Sequence, residues 1–151
     1  MTWIADAERR NLAMQERAEK IRKESTTIYN ALWQELLKNV EEAKKIERFK
    51  TLETNGNPEA RIIQMSVMPA PGEDHAAPRI VRIRLLSDIQ HIRATGGGAS
   101  VTLSIDVCDD GFVCLKLDNE RIEYADAAMA ILYPFLYPGR PLPDKASDYV
   151  G

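Results

Sequence analysis

The residues with the clearest chemical spacing are arginines at every second position. Arg82 and Arg84 alternate with Val81, Ile83 and Leu85. A strand there sends guanidiniums to one face and aliphatic side chains to the other. Arg79 lies close by, and Arg121 is a further candidate for the row. A planar guanidinium grips carboxylate or phosphate through two parallel N–H donors. The row therefore suits an anionic small molecule. Asp106 is predicted on the same solvent-side face, either as the acid that pairs these arginines or as part of a ligand site. Arg82, Arg84 and Asp106 are the candidate ligand-binding residues.

Other constellations carry less. His75 follows Glu73 and Asp74 in a proline-rich loop. Three adjacent side chains do not converge on a metal without help from elsewhere, and no second His or Cys has ligand spacing. His91 reads as a surface histidine. Gly96-Gly97-Gly98 resembles a phosphate loop in composition only. It is predicted to follow a helix and precede a strand, the reverse of the nucleotide motifs, and no Lys-Ser/Thr pair comes after it. It reads as a helix cap and connector. No Gly-x-Ser-x-Gly elbow is present. The residues thus suggest no catalytic group, no cofactor and no metal site.

Net charge is −3, from 20 basic and 23 acidic side chains. That gives no general pull toward nucleic acid or anionic lipid. No aromatic residue interleaves the arginine row to stack a base. No stretch approaches the roughly 18–20 apolar residues that cross a bilayer. The opening residues, Met1-Thr2-Trp3-Ile4-Ala5-Asp6, lack the basic start and apolar run of a secretory signal. A cytoplasmic address, with neither nucleic acid nor membrane as partner, is the expectation.

The elements that must hold these side chains are expected to form an α+β fold. Residues 61–68 and 79–86 read as strands. Ser87 and Gln90 form a capping-box pattern, so 87–95 is predicted as a short helix ended by the glycines. From Ala99 to Val107 the alternation is clean. Asp109-Asp110-Gly111 then predicts a hairpin in which Val107 faces Val113 and Ile105 faces Leu115. In that register Cys108 and Cys114 are diagonal rather than opposed, so two free thiols are expected. Residues 121–124 add a short strand at most. Ala125 to Tyr133 is apolar nearly all round and predicts a second short helix, limited by Pro134. The expected architecture is a small antiparallel sheet of four to five strands with two short helices packed on one face.

Ahead of this lies a long amphipathic helix. Residues 3–50 contain no Gly and no Pro, the two residues that cost about 1 and 3 kcal/mol in a helix interior. Met14, Ala18, Ile21, Ile28 and Leu32 recur at helical steps, and the stripe drifts after Leu32. Three weak helix formers, Ser25-Thr26-Thr27, mark the place for a kink. The organisation is then a helix over 1–50, an α+β domain over 58–137 and an extended tail over 138–151. About 45 helical residues make a rod of roughly 65–70 Å. A domain built from the remaining hundred residues has a radius of gyration of about 13 Å. The rod outreaches the globule, so its stripe seeks a second copy of the chain.

The function expected from the sequence is a non-enzymatic assembly or protein–protein interaction domain. It would be homodimeric through Met14, Ala18, Ile21, Ile28 and Leu32. One alternative is an anionic small-molecule binding domain or small enzyme using the Arg82/Arg84 face. Another is a subunit of a larger complex, docking on a different protein through the apolar and aromatic segment 125–137. There, Pro138 to Pro141 also offers a proline-rich stretch for a groove.

Overall fold

The computed structural model describes residues 2–57, 61–68, 78–86, 88 and 90–142. Helix α1 runs unbroken from Trp3 to Lys44, with no interruption at Ser25-Thr26-Thr27. The Thr2 hydroxyl caps its start by accepting from the Ala5 N–H at 3.4 Å, and Asp6 sits in the first turn, where a negative charge meets the positive helix end. A 3-10 turn over Glu47–Phe49 follows and buries Phe49.

Seven strands come next: β1 Glu53–Asn57, β2 Ile62–Val67, β3 Arg79–Leu85, β4 His91–Gly96, β5 Ala99–Val107, β6 Val113–Leu117 and β7 Glu120–Arg121. They form one antiparallel meander in which spatial order equals chain order. Helix α2, Tyr124–Leu136, closes the described fold. Both helices contact β5 and each other, so they lie together on one face of the sheet. The core between the layers holds Ile28, Tyr29, Leu32 and Leu36 from α1, Ile131 and Phe135 from α2, and Ile63, Ile83, Ile92 and Leu103 from the sheet. Buried and exposed residues alternate along β3 and β4, as a sheet with one covered face requires. The Tyr29 hydroxyl donates to the Ile83 carbonyl at 2.9 Å in this core, and burial pushes its phenol up.

Among the described residues the sheet has seven strands rather than four to five, and α2 is the one short α-helix rather than two. Residues 53–57, outside the strands expected from the sequence, form an edge strand. Its sequence Glu-Thr-Asn-Gly-Asn shows no alternation. The Trp33 indole covers Gly56, whose added Cβ would lie 3.3 Å from Trp33 Cζ2.

The predicted helix at 87–95 is strand β4. Ile92 and Ala94 point into the core, while Arg93 and Thr95 face out. The strand is hydrogen-bonded on both sides, to β3 and β5. Two ladders outweigh a local capping signal. The polar residues that imitated a cap make a turn: the Asp88 carboxylate accepts from the Gln90 N–H at 3.0 Å and contacts His91 Nδ1 at 2.7 Å. The proposed cap Ser87 lies outside the described residues, as do His75 with its acidic neighbours and residues 143–151 of the tail.

The glycines are therefore not a helix cap. Gly96 pairs with Ala99, leaving Gly97 and Gly98 as a two-residue hairpin turn with φ of +61° and +95°. A type I′ turn needs positive φ at both positions. The tip abuts α2, because a Cβ on Gly97 would meet the Phe135 ring at 2.7 Å. Pro134 does not end α2, which continues to Leu136. In the last turn a missing N–H removes a single helical bond, and the Tyr137 N–H still reaches the Tyr133 carbonyl at 2.8 Å.

The β5–β6 hairpin has the predicted register, with Val107 opposite Val113 and Ile105 opposite Leu115. The expectation of two free thiols is overturned, since Cys108 and Cys114 form a disulfide. Their Cα atoms are 6.3 Å apart, within the range a disulfide spans. Both side chains lie on one face of a twisted ribbon. Twist shortens one diagonal of such a ribbon, so diagonal residues can bond.

Candidate functional site

The face of the sheet away from the helices collects the basic side chains. Pairing across the ladders places them in two ranks. One reads Ile62, Arg84, Arg93, Thr102; the other reads Gln64, Arg82, Thr95, Ser100. Arg82, Arg84 and Arg93 are all exposed. Arg84 and Arg93 stand directly opposite each other on adjacent strands, with Cα atoms about 5 Å apart. Arg82 is two residues along β3, about 6.6 Å away. The Arg82 Nε donates to Gln64 Oε1 at 3.3 Å. Among the described residues no carboxylate pairs with any of the three.

This cluster differs from the row expected from the sequence. Arg82 and Arg84 are together, as the alternation implied. Arg79 has the other parity and lies on the inner side, where its Nε donates to the Phe135 carbonyl at 3.3 Å. A cation there suits the negative end of α2. Arg121 belongs to Asp110, at 2.7 Å, and that guanidinium holds the Asp110 carboxyl below the usual carboxylate range. Arg93 joins the cluster. Reading 87–95 as a helix hid it, although His91, Arg93 and Thr95 alternate with Ile92 and Ala94.

Asp106 is not part of the cluster. It lies four residues beyond Thr102 on β5, about 13 Å along the strand. It is bound instead by Arg17 from α1, with Nε at 2.8 Å, and by Lys116 at 3.4 Å. Burial works to raise the Asp106 carboxyl, but the Arg17 hydrogen bond, the Val107 N–H and Lys116 hold it below its ordinary value. A carboxyl with a depressed folded pKa stabilises the fold fully above its unfolded pKa of about 3.9. That contribution is lost as pH falls through the lower folded value. Asp106→Asn should therefore flatten the acid limb of the stability profile below about pH 4, seen in thermal melts across that range. At neutral pH it should cost about 1 kcal/mol, because Arg17 is half exposed.

The second candidate is the free part of α1. Ile21, Ser25, Ile28, Tyr29, Leu32 and Leu36 are buried. Before Ile21 the helix has no buried residue, although residues 13–20 still run beside Val107, Asp88 and Gln90. Trp3 is 77% exposed, Ile4 61%, Leu12 51% and Met14 67%. Within this part, Arg17 ties the helix to the sheet through Asp106. Of the expected interface residues, Met14 and Ala18 are exposed, whereas Ile21, Ile28 and Leu32 are buried in the chain's own core. The helical steps are stricter than the sequence reading held. Ile4, Ala7, Asn11, Met14, Ala18, Ile21, Ser25, Ile28 and Leu32 follow alternating steps of three and four. The stripe that seats α1 on its sheet thus continues past the sheet.

The segment 125–137 is largely used inside the fold, with Ala127, Ala128, Ala130, Ile131, Leu132 and Phe135 buried. What it leaves outside is an apolar groove beside α1, lined by Asn39, Met129, Tyr133, Leu136, Tyr137 and Arg140. Among the described residues no group of three His, Cys, Asp or Glu side chains is placed to hold a metal. No helix among them is long and apolar enough to cross a membrane. No family model matches the chain, and no curated protein and no solved structure does either.

Proposed function

We propose that this chain is an assembly domain that pairs with a second copy of itself through the first half of α1. The supporting observation is the continuity of one apolar stripe from a buried stretch into a bare one. Residues 3–20 form about five helical turns, roughly 27 Å of rod. An isolated helix of that length is marginal in water. Here it is propagated from the anchored half and presents Ile4, Ala7, Met14 and Ala18 in a heptad-like line. Such lines are covered by an equivalent line on another helix. Asn11 falls on a core position of the same line. A single asparagine there restricts register and favours two strands. A like copy supplies both the matching stripe and the matching asparagine.

The test is light scattering across a concentration series. Full-length protein should show twice the chain mass. A variant lacking residues 2–16 should be monomeric and keep the melting behaviour of the body, since the Arg17 contact and every buried α1 residue remain. Cutting as far as residue 27 would strip Ile21 and Ser25 from the core and confuse the result. Met14→Glu should also give a monomer. A full-length monomer at the highest concentration would sink the proposal.

A further inference from the structure

We infer that the outer sheet face is a binding site for an anion carrying two or more phosphate groups, gripped by Arg82, Arg84 and Arg93. The cluster is costly in the empty protein. Like charges directly opposite on neighbouring strands destabilise a sheet, and Arg84 faces Arg93 in that way. Among the described residues no acid relieves them. The acids farther along the sheet, Asp106 and Asp110, have other cations. Asp106 takes Arg17 and Lys116, and Asp110 takes Arg121. Among the described residues these acids are thus held by other cations, and the cluster has none.

The chemistry of the occupant follows from geometry. The Cα atoms of the three arginines stand about 5–8 Å apart on the ladder, within reach of one another's side chains. Thr95, Ser100 and Thr102 supply hydroxyls in the same two ranks. The face is open, so each exposed ion pair contributes little on its own. One carboxylate or one phosphate is then held weakly. An anion with several phosphates engages all three arginines at once, and each phosphate accepts the two-pronged donation of a guanidinium. Nucleic acid is disfavoured because no aromatic side chain stands in the two ranks to stack a base.

Melting curves and titration calorimetry at low salt test this on the full chain. The probes are inorganic triphosphate, inorganic phosphate, citrate and a single-stranded oligonucleotide. Triphosphate should raise the melting temperature and bind more tightly than phosphate or citrate. In Arg84→Ser/Arg93→Ser its affinity should fall about tenfold or more, as loss of two charge-assisted grips implies. Lys50→Ser, which removes a charge just after the 3-10 turn that follows α1, should leave affinity unchanged. Without any anion, Arg93→Ser should melt at a higher temperature than the parent, because it relieves the opposed charges. Loss of folding in the double variant would show in its melt, and Arg93→Ser alone then carries the affinity test. The inference is overturned by no response to triphosphate, by an equal response in the arginine variants, or by an oligonucleotide that binds more tightly than triphosphate.

Discussion

Gly96→Ala is expected to lower folding stability by about 3 kcal/mol or more, combining an unfavourable backbone region with a steric clash. Gly96 has φ +113°, and an added Cβ would lie 2.3 Å from the Ile80 carbonyl oxygen. That oxygen belongs to β3, a strand paired on both sides, so it has no room to step back. Gly111 supplies the control. It also has positive φ, at +83°, but nothing lies within 4 Å of its built Cβ. Gly111→Ala should therefore cost only about 1 kcal/mol, the backbone part alone. Denaturant midpoints of the two variants measure the difference. Equal losses would mean that β3 and β4 are not packed as described.

The second large effect is at Phe135. Its ring is fully buried between α2 and the glycine turn. Phe135→Ala should cost about 3–5 kcal/mol, the usual range for deleting a buried aromatic ring. The turn gives this a sharper form. A Cβ on Gly97 would meet Phe135 Cδ2 at 2.7 Å. In the parent, Gly97→Ala suffers both a positive φ and that contact. With Phe135→Ala already made, only the φ part remains. The double variant should be less unstable than the sum of the singles by about 1 kcal/mol or more, as contacting residues behave in such cycles. Additive losses would place the hairpin tip away from α2.

Local pattern made much of this fold legible. The absence of Gly and Pro announced α1, and period-two alternation announced β2, β3, β5 and β6. The Asp109-Asp110-Gly111 turn set a register that pairs Ile105 with Leu115. What escaped was decided by neighbours distant in sequence. Residues 91–96 carry a strand pattern only three alternations long, and a competing cap signal stood before them. Pairing with both β3 and β5 decides their state. Residues 53–57 have no apolar face at all, and only the ladder to β2 makes them a strand. The disulfide needed the twist of the ribbon, which residue order does not display. For the candidate site, Arg82 and Arg84 were readable because one strand holds both. Arg93 was not, because its place beside Arg84 is a property of the ladder. Arg17 was hidden in the same way, 89 residues from Asp106.

The meander has a consequence for how the protein is born. Each strand lies beside the one synthesised just before it, so hairpins close as the chain lengthens. Helix α1 is different, because it leaves the ribosome first and its seat on β5 and β6 comes last. The 89 residues between Arg17 and Asp106 take roughly 5–20 s to translate at bacterial and eukaryotic elongation speeds. For that interval the Arg17 end of α1 has no sheet partner, although the strands that cover Tyr29 and Leu32 are already emerging. The pairing proposed for α1 can then begin before the body is complete.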